Sequence, residues 1–439
     1  MNITVFGAAK SGLAVAEKMR RGNSMFITEA KERVDAKVLR RMRRMKVRYE
    51  LGGHSMKAIK NADLIVLSPG VRFDLPILKK ARKLGLPVIG EIELAYSIIK
   101  KPIIAVTGTN GKTTTTSLIG DMLSRSGLRV VVAGNIGKPL ISVNDKNLDM
   151  VVAEISSYQL ESADTFKPWI SAILNVTPDH LTRHGTMKEY IKNKAAIFRN
   201  QNACDNLVYN HDDSIVRGMV NDARCEKVPF SRKRVFSSGA YVSSGYLCWR
   251  GEKIVSVDKI KIQGLHNLEN SLAAAAVAKL CGVSNRDIAV SLKSFKGVEH
   301  RIEFVRKVKG VSFYNDSKGT NPDSTIVAIN ALFPASRIVL ILGGRDKMTD
   351  LSCLSRLVKR KVKEVVLIGE AKKRIRDSLV RCGYDRIHET SGFKDAVRRS
   401  YRLAKPGDAV LLSPACASFD MFRDYEHRGK VFKKIVTGL

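Results

Sequence analysis

Aromatic residues are scarce, at 6% of the chain with two tryptophans. That argues against a groove that stacks unpaired bases, which needs rings interleaved with basic side chains. Acidic residues are also few: 42 Asp and Glu stand against 76 Lys and Arg, a formal net charge of +34. Such an excess fits either nucleic-acid binding or a protein whose small-molecule substrates are anions. The seven cysteines (Cys204, Cys225, Cys248, Cys281, Cys353, Cys382, Cys416) are scattered singly, with no CxxC pair. This pattern excludes a disulfide scaffold and a zinc ribbon, and predicts reduced thiols in a cytoplasmic protein. No apolar run approaches the ~20 residues of a membrane-spanning helix. The opening MNITVFG reads as a strand leading into a glycine turn, with none of the features of a secretory leader.

What is present is an ordinary globular composition, 44% hydrophobic over 439 residues, enough for roughly three domains. The basic runs read as solvated faces. In Lys372-Lys373-Arg374-Ile375-Arg376, apolar Ala371, Ile375 and Leu379 recur at helical spacing and leave the bases outside. Short β-branched runs alternate with helical patterns almost throughout, the signature of parallel sheets flanked by helices. ITVFG, MFIT, LIVLSPG and PVIG read as strands of a first unit, and IIAVTG, RVVVAG, MVVAEIS and ISAILNV as strands of a second. Residues 228–262 (KRVFSS, AYVSSGYLCW, KIVSVDKIKI) suggest an antiparallel excursion, followed by an alanine-rich helix, Asn267 to Leu280. VSFYND, RIVLILGG, EVVLIG and AVLLSP form a third unit. The expectation is three successive α/β domains: a Rossmann-like N-terminal domain (1–98), a central P-loop ATPase-like domain (99–297) and a Rossmann-like C-terminal domain (298–439).

The strongest local signal is Ile103-Ile104-Ala105-Val106-Thr107-Gly108-Thr109-Asn110-Gly111-Lys112-Thr113-Thr114. A buried strand ends in a glycine loop and a helix starts near Lys112, so backbone N–H groups and the helix dipole turn toward a phosphate chain. Lys112 reaches the β- and γ-phosphates of ATP in such a loop, and the Thr113 hydroxyl ligates Mg²⁺. Glu154 ends the strand MVVAE, a lone carboxylate after apolar residues, placed for the ligand-binding edge of an open sheet and suited to Mg²⁺.

T-G-T-N-G-K-T resembles the loop of the Mur ligase and folylpolyglutamate synthetase superfamily, enzymes that join an amino acid to a carboxylate at the expense of ATP. Further matching segments follow in order: Gly134-Asn135-Ile136-Gly137, Glu154 to Leu160 (EISSYQL), Leu174 to His180 (LNVTPDH), Lys194 to Phe198 (KAAIF), Gly264 to Asn270 (GLHNLEN) and His300-Arg301. Asn315 to Asn321 (NDSKGTN) and Ser413 to Asp420 (SPACASFD) are most similar to the branch of the Mur ligases that uses D-glutamate. The resemblance covers essentially the whole chain. It implies an ATP-dependent amide ligase that adds D-glutamate to UDP-N-acetylmuramoyl-L-alanine through an acyl phosphate, in cytoplasmic peptidoglycan precursor synthesis. The expectation is a monomer with no nucleic-acid partner.

The same resemblance implies roles residue by residue. Lys112, Glu154, His180, Lys194 and Arg301 are the catalytic set, and Thr113, Glu154, His180 and Lys194 hold magnesium, two ions in all. Lys194, which its helical setting alone marks as solvated, is implied to be carbamylated by CO₂. That step needs a neutral amine and hence a depressed pKa. ATP is bound by Gly108, Thr109, Asn110, Gly111, Lys112, Thr113, Thr114, Asn267, Asn270, Arg301 and Asp316, with Asn267 and Asn270 one helical turn apart. D-glutamate falls to Lys318, Thr320, Lys347, Ser418 and Tyr425. Tyr425 stands where some relatives have phenylalanine.

In the N-terminal domain, Gly7-Ala8-Ala9-Lys10-Ser11-Gly12 follows a strand and opens a helix, with Glu29 ending the next strand. A dinucleotide site is one reading, although Ala9 replaces the second fingerprint glycine. The resemblance implies instead that Lys10, Ser11 and Gly70 bind the uridine diphosphate of the substrate, with Asn135 and His180 reaching it from the central domain. A nucleic-acid-stimulated ATPase remains the alternative that the charge suggests.

Overall fold

The computed structural model describes all residues except His180, Gln263 and residues 333–336, and of Leu181 and Thr182 only the backbone. Three sheets follow one another along the chain. The first contains β1 (Asn2–Phe6), β2 (Ser24–Glu29), β3 (Arg48–Leu51), β4 (Leu64–Leu67) and β5 (Val88–Gly90), in the order β3-β2-β1-β4-β5 and parallel throughout. Its order reverses beside β1, which places the β1 turn at the switch point where open α/β sheets bind ligands.

The second sheet contains β6 (Ile103–Thr107), β7 (Val130–Gly134), β8 (Met150–Glu154), β9 (Ile170–Ile173), β10 (Asn206–Asn210), β11 (Glu226–Ser231), β12 (Ala240–Ser243), β13 (Tyr246–Trp249) and β14 (Glu252–Ser256). Their order is β14-β13-β12-β11-β10-β9-β6-β8-β7. Strands β6, β8 and β9 are buried at every position, as expected for central strands covered on both faces. The antiparallel excursion is real but shorter than its sequence suggests. Only β12–β13 and β13–β14 pair antiparallel; KRVFSS lies in a loop that leaves Val235 exposed, and the second half of KIVSVDKIKI passes through a short 3₁₀ turn.

The third sheet contains β15 (Glu303–Val308), β16 (Val311–Asn315), β17 (Ile338–Gly343), β18 (Val362–Ile368), β19 (Ile387–Glu389) and β20 (Ala409–Leu412), ordered β15-β16-β20-β17-β18-β19. Only its edge strand β15 pairs antiparallel. The strands absent from the sequence reading, β3, β10, β11, β15 and β19, are short or carry charged and polar residues, so their hydrophobic signal is weak.

The chain divides into two compact units: residues 1–260 with 269–295, and residues 261–268 with 296–439. The first unit contains two sheets because one core, from Ile3 and Val5 to Val151 and Phe166, runs through both. Two buried acidic side chains in the helix Glu91–Ile98 join them. Glu93 accepts the backbone N–H groups of Asp164, Thr165 and Phe166 at 2.9, 2.7 and 3.1 Å, and Glu91 accepts that of Ile141 at 2.8 Å. Glu93, which satisfies three N–H donors, is a specific joint, because a shift of either side would strand buried polar groups. In the second unit, separate cores fill the two faces of the sheet, around Leu340 and Leu367 on one and Phe313 and Phe432 on the other. Among the described residues, no helix is long and apolar enough to cross a membrane.

Candidate active site

Strand β6 ends at the glycine loop, and the helix that follows runs Lys112–Arg125 as its sequence predicts. Gly111 has φ +84°, and a Cβ there would stand 2.3 Å from Asn270 Oδ1, so both the conformation and the space demand glycine. Asn175 frames the loop. Its Oδ1 accepts the Asn110 N–H at 2.8 Å, its Nδ2 donates to Asn110 O at 3.1 Å, and its carbonyl accepts the Thr109 N–H at 2.9 Å. Lys112 Nζ folds over the loop and donates to the carbonyls of Gly108 and Thr109 at 2.7 and 2.8 Å. Asn270 reaches the same place from its own helix, its Oδ1 accepting from Thr115 Oγ1 at 3.2 Å.

Register brings Glu154 to this edge: it pairs with Val106 of β6 on one side and Gly134 of β7 on the other. Its carboxylate is 1% exposed and Oε1 accepts from Asn135 Nδ2 at 2.8 Å. Asn135, assigned to substrate by resemblance, therefore also orients the acid. Thr113 is buried in the first helical turn. A buried carboxylate and a buried hydroxyl beside a glycine cradle that a Cβ would fill are hard oxygen donors suited to Mg²⁺. His180 lies outside the described residues.

Lys194 ends the helix Met187–Ala195 and is buried, with Nζ 4.6 Å from the centre of the Tyr190 ring. The solvated lysine that its helical setting suggests is thus corrected: the helix turns this residue inward. Burial pushes its pKa well below the usual lysine range, the Lys112 charge adds to that, and Asp179 opposes it. Tyr190 is tied to the phosphate loop through its hydroxyl, 3.0 Å from Thr109 Oγ1.

In the first sheet, Gly7 has φ +94° and a Cβ on Gly12 would lie 1.9 Å from Gly7 O, so the turn and its helix are packed as tightly as a phosphate-binding turn requires. Glu29 Oε2 accepts the Ala8 N–H at 2.7 Å and thus closes the turn itself. Lys10 donates to the carbonyl of Gly137, and Ser68 Oγ donates to Gly7 O at 3.1 Å, so the Ser68–Val71 loop lies on the turn.

The second unit holds the remaining predicted residues, most of them in loops at one end of its sheet, with Tyr425 opening the helix Tyr425–Thr437 and Asn267 in the helix Leu265–Leu280. Asp316 follows β16. Burial pushes its carboxyl up to about 6 against the pull of Arg301; Oδ2 accepts from Ser413 Oγ at 2.7 Å and Oδ1 from the Ile302 N–H at 3.2 Å. Lys318 places Nζ 5.6 Å from the Tyr425 ring centre, and the Thr320 N–H donates to Lys318 O at 2.9 Å. Ser418 is buried and Lys347 half-buried. Asn267 falls in the part of its helix grouped with this unit, and Asn270 in the part grouped with the first.

Sequence reasoning missed Arg428, a fully buried guanidinium that stitches these loops together. It donates to Ser317 Oγ at 3.0 Å, Ser317 O at 2.8 Å, Cys416 O at 3.2 Å and Ala417 O at 3.3 Å, and burial lowers its pKa to about 10. An arginine three residues into a helix gives no local signal of this. Another cluster, Glu299, His300 and Glu303, has metal-ligand spacing, but Lys433 Nζ already bridges the two carboxylates at 2.5 and 2.9 Å.

Comparison with known proteins agrees with this arrangement along the chain. The N-terminal domain model of MurD-like Mur ligases matches residues 1–90, the Mur ligase middle domain residues 106–278, and the Mur ligase glutamate ligase domain residues 300–416. The UDP-N-acetylmuramoylalanine–D-glutamate ligase of Caldanaerobacter subterraneus is 45% identical over 443 residues, covering 100% of this chain and 98% of that protein. The enzyme of the same name from Clostridioides difficile is 41% identical over 446 residues, with coverage of 100% and 98%. Among solved structures, the UDP-N-acetylmuramate-alanine ligase MurC of Thermotoga maritima has TM-score 0.64 at 21% identity, covering 100% of this chain and 99% of its own. MurF of Acinetobacter baumannii has TM-score 0.62 at 17% identity, covering 88% and 93%; at such identity the likeness is one of fold. On full-length identity and three domain models in sequence order, the chain belongs to the Mur ligase family.

Proposed function

We propose that this chain is an ATP-dependent ligase that joins D-glutamate to UDP-N-acetylmuramoyl-L-alanine, acting as a cytoplasmic monomer in peptidoglycan precursor synthesis. The observation that carries the reading is the edge of the second sheet. A phosphate-binding lysine, Lys112, shares it with the buried carboxylate Glu154, and the charge of Lys112 acts on the buried amine of Lys194. Phosphoryl transfer between anions requires positioning and charge neutralisation above all, and these groups supply both.

In the proposed reaction a carboxylate oxygen of UDP-N-acetylmuramoyl-L-alanine attacks the γ-phosphorus of ATP. The new O–P bond forms as the bridging bond to the β-phosphate breaks, and ADP leaves. The amine of D-glutamate then attacks the acyl carbon, loses a proton and expels inorganic phosphate. The loop Gly108 to Thr114 cradles the phosphates, Lys112 neutralises their charge, and Asn267, Asn270, Arg301 and Asp316 complete the nucleotide site. Thr113, Glu154, His180 and carbamylated Lys194 would hold two magnesium ions. Bound there, the ions neutralise the charge that develops on the transferring phosphoryl group. Lys10, Ser11, Gly70, Asn135 and His180 would bind the UDP-substrate. Lys318, Thr320, Lys347, Ser418 and Tyr425 would bind D-glutamate, a dicarboxylate for which lysines and hydroxyls are suitable partners. The division 1–98, 99–297 and 298–439 follows these three binding tasks.

The test is phosphate release from ATP with UDP-N-acetylmuramoyl-L-alanine present and amino acids added singly, the product identified by mass spectrometry, and Lys112→Ala as control. Release that requires both the UDP-substrate and D-glutamate, with the glutamyl product formed, is the expected result. Release indifferent to both but stimulated by nucleic acid would sink the reading and return the argument to the charge of +34.

A further inference from the structure

Arg183, in the short helix Leu181–His184 of the central domain, crosses to the N-terminal domain. Its Nε and Nη2 meet both oxygens of Glu161 at 3.1 and 2.6 Å, while Nη1 donates to Gly70 O at 3.2 Å and Nη2 to Val71 O at 2.8 Å. The guanidinium lies 5.0 Å from the centre of the Tyr158 ring. Its anchor is rigid too. Glu161 also faces His184 Nδ1 at 3.2 Å, and the buried His184 ring meets Ser157 Oγ at 3.0 Å and Asn193 Nδ2 at 3.1 Å. Burial pushes the Glu161 carboxyl up, but the bonds from His184 and Arg183 outweigh it and hold it below the usual range. On the far side, the held loop bears on the glycine turn: a Cβ on Gly7 would meet Ser68 Cβ at 3.0 Å and Val71 Cγ2 at 3.1 Å.

We propose that Arg183 is a positioning residue of the UDP-substrate site: it clamps the Ser68–Val71 loop onto the Gly7–Gly12 turn and so sets affinity for the uridine diphosphate moiety. The inference rests on the substrate reading given above. The planar fork is what the task requires, because one guanidinium meets a carboxylate in a fixed plane and still presents N–H groups to two carbonyls. A lysine ammonium on its flexible stem could keep the charge but not all four contacts. Released from Arg183, the loop would have to be ordered by the ligand, and that ordering is subtracted from binding.

The experiment compares Arg183→Lys and Glu161→Gln with the parent, using calorimetry with UDP-N-acetylmuramoyl-L-alanine and steady-state kinetics for all three substrates. The expected result is a roughly tenfold rise in both Kd and KM for the UDP-substrate, with kcat and the KM values for ATP and D-glutamate within about twofold. Glu161→Gln keeps the side-chain shape and should give a smaller shift in the same single parameter, which carries the test if Arg183→Lys does not fold. Unchanged UDP-substrate affinity in a folded variant overturns the proposal. So does a parallel loss in kcat and all three KM values, which would mark Arg183 as a general structural support. A parent protein that fails to bind the UDP-substrate at all overturns the substrate reading, and this inference with it.

Discussion

Two strand–glycine–helix turns in the first unit share an architecture and differ in what is buried beside them. At Gly7–Gly12 the nearby acid, Glu29, is occupied with the Ala8 N–H, and Lys10 is exposed. At Gly108–Lys112 the nearby acid, Glu154, is buried at the sheet edge, and a second amine, Lys194, is enclosed where its charge is disfavoured. Both turns lead into a helix N-terminus, the end of a helix that favours an anion. Only the second assembles buried ionisable groups, which are costly in a fold unless they do something. On the proposed reading, a glycine turn marks a phosphate site, and the buried charges around it separate a turn that holds a phosphate from a turn that transfers one.

If that distinction is right, the two turns should fail differently. Lys112→Ala should lower kcat on the order of 10³-fold, because on the proposed reading it removes the charge that neutralises the transferring phosphate. UDP-substrate affinity, read by calorimetry, should stay near the parent value. Equal losses in both would erase the difference between the turns.

Lys194→Met should rank next, with kcat lowered on the order of 10²-fold. Protein equilibrated with ¹³C-labelled bicarbonate should show one carbamate resonance by NMR that the variant lacks. Carbamylation requires a neutral amine, and the burial of Lys194 and the neighbouring Lys112 charge both favour that form. A parent spectrum without that resonance would remove the carbamate from the reading.

Much of this was legible in the sequence because glycine turns and apolar parallel strands leave strong local patterns. The loop 107–114, the helix starting at Lys112 and the strand ending at Glu154 all stand as their residues predict. Roles that depend on contacts distant in sequence were not legible. Lys194 reads as a surface lysine until the fold turns it inward, and Arg428 and Arg183 look like ordinary helical arginines. Glu91 and Glu93 look like exposed acids of a first helical turn, yet each closes the joint between two sheets through N–H groups some 50 to 73 residues away. Burial of a polar residue is decided by tertiary packing, which leaves no period in the sequence.

At the other turn, Lys10→Ala should raise KM for the UDP-substrate about tenfold, the worth of one charge-assisted contact, and leave kcat within about twofold. A large fall in kcat would mean that Lys10 belongs to the transfer chemistry, and the contrast between the turns would collapse.

The joint between the two turns offers the smallest effect and the cleanest separation of folding from function. Burial raises the Glu91 carboxyl from 4.5 to about 7, against hydrogen bonds from Ile141, Gln159 and Leu140. Between those values the native protein keeps a proton that the unfolded chain has given up. Stability should therefore fall as pH rises from about 4.5 to about 7, by about 3 kcal/mol at most for a shift of this size. Glu91→Gln retains an acceptor for the Ile141 N–H and has no proton to lose. Denaturant titrations across pH 4.5–8 should show a slope in the parent that is flattened in the variant, with kcat at pH 8 unchanged to within about twofold. If the slopes coincide, Glu91 is ionised in the folded protein and the joint is held by charge. If kcat falls instead, the joint transmits strain to the phosphate loop, and the two turns are less independent than their chemistry implies.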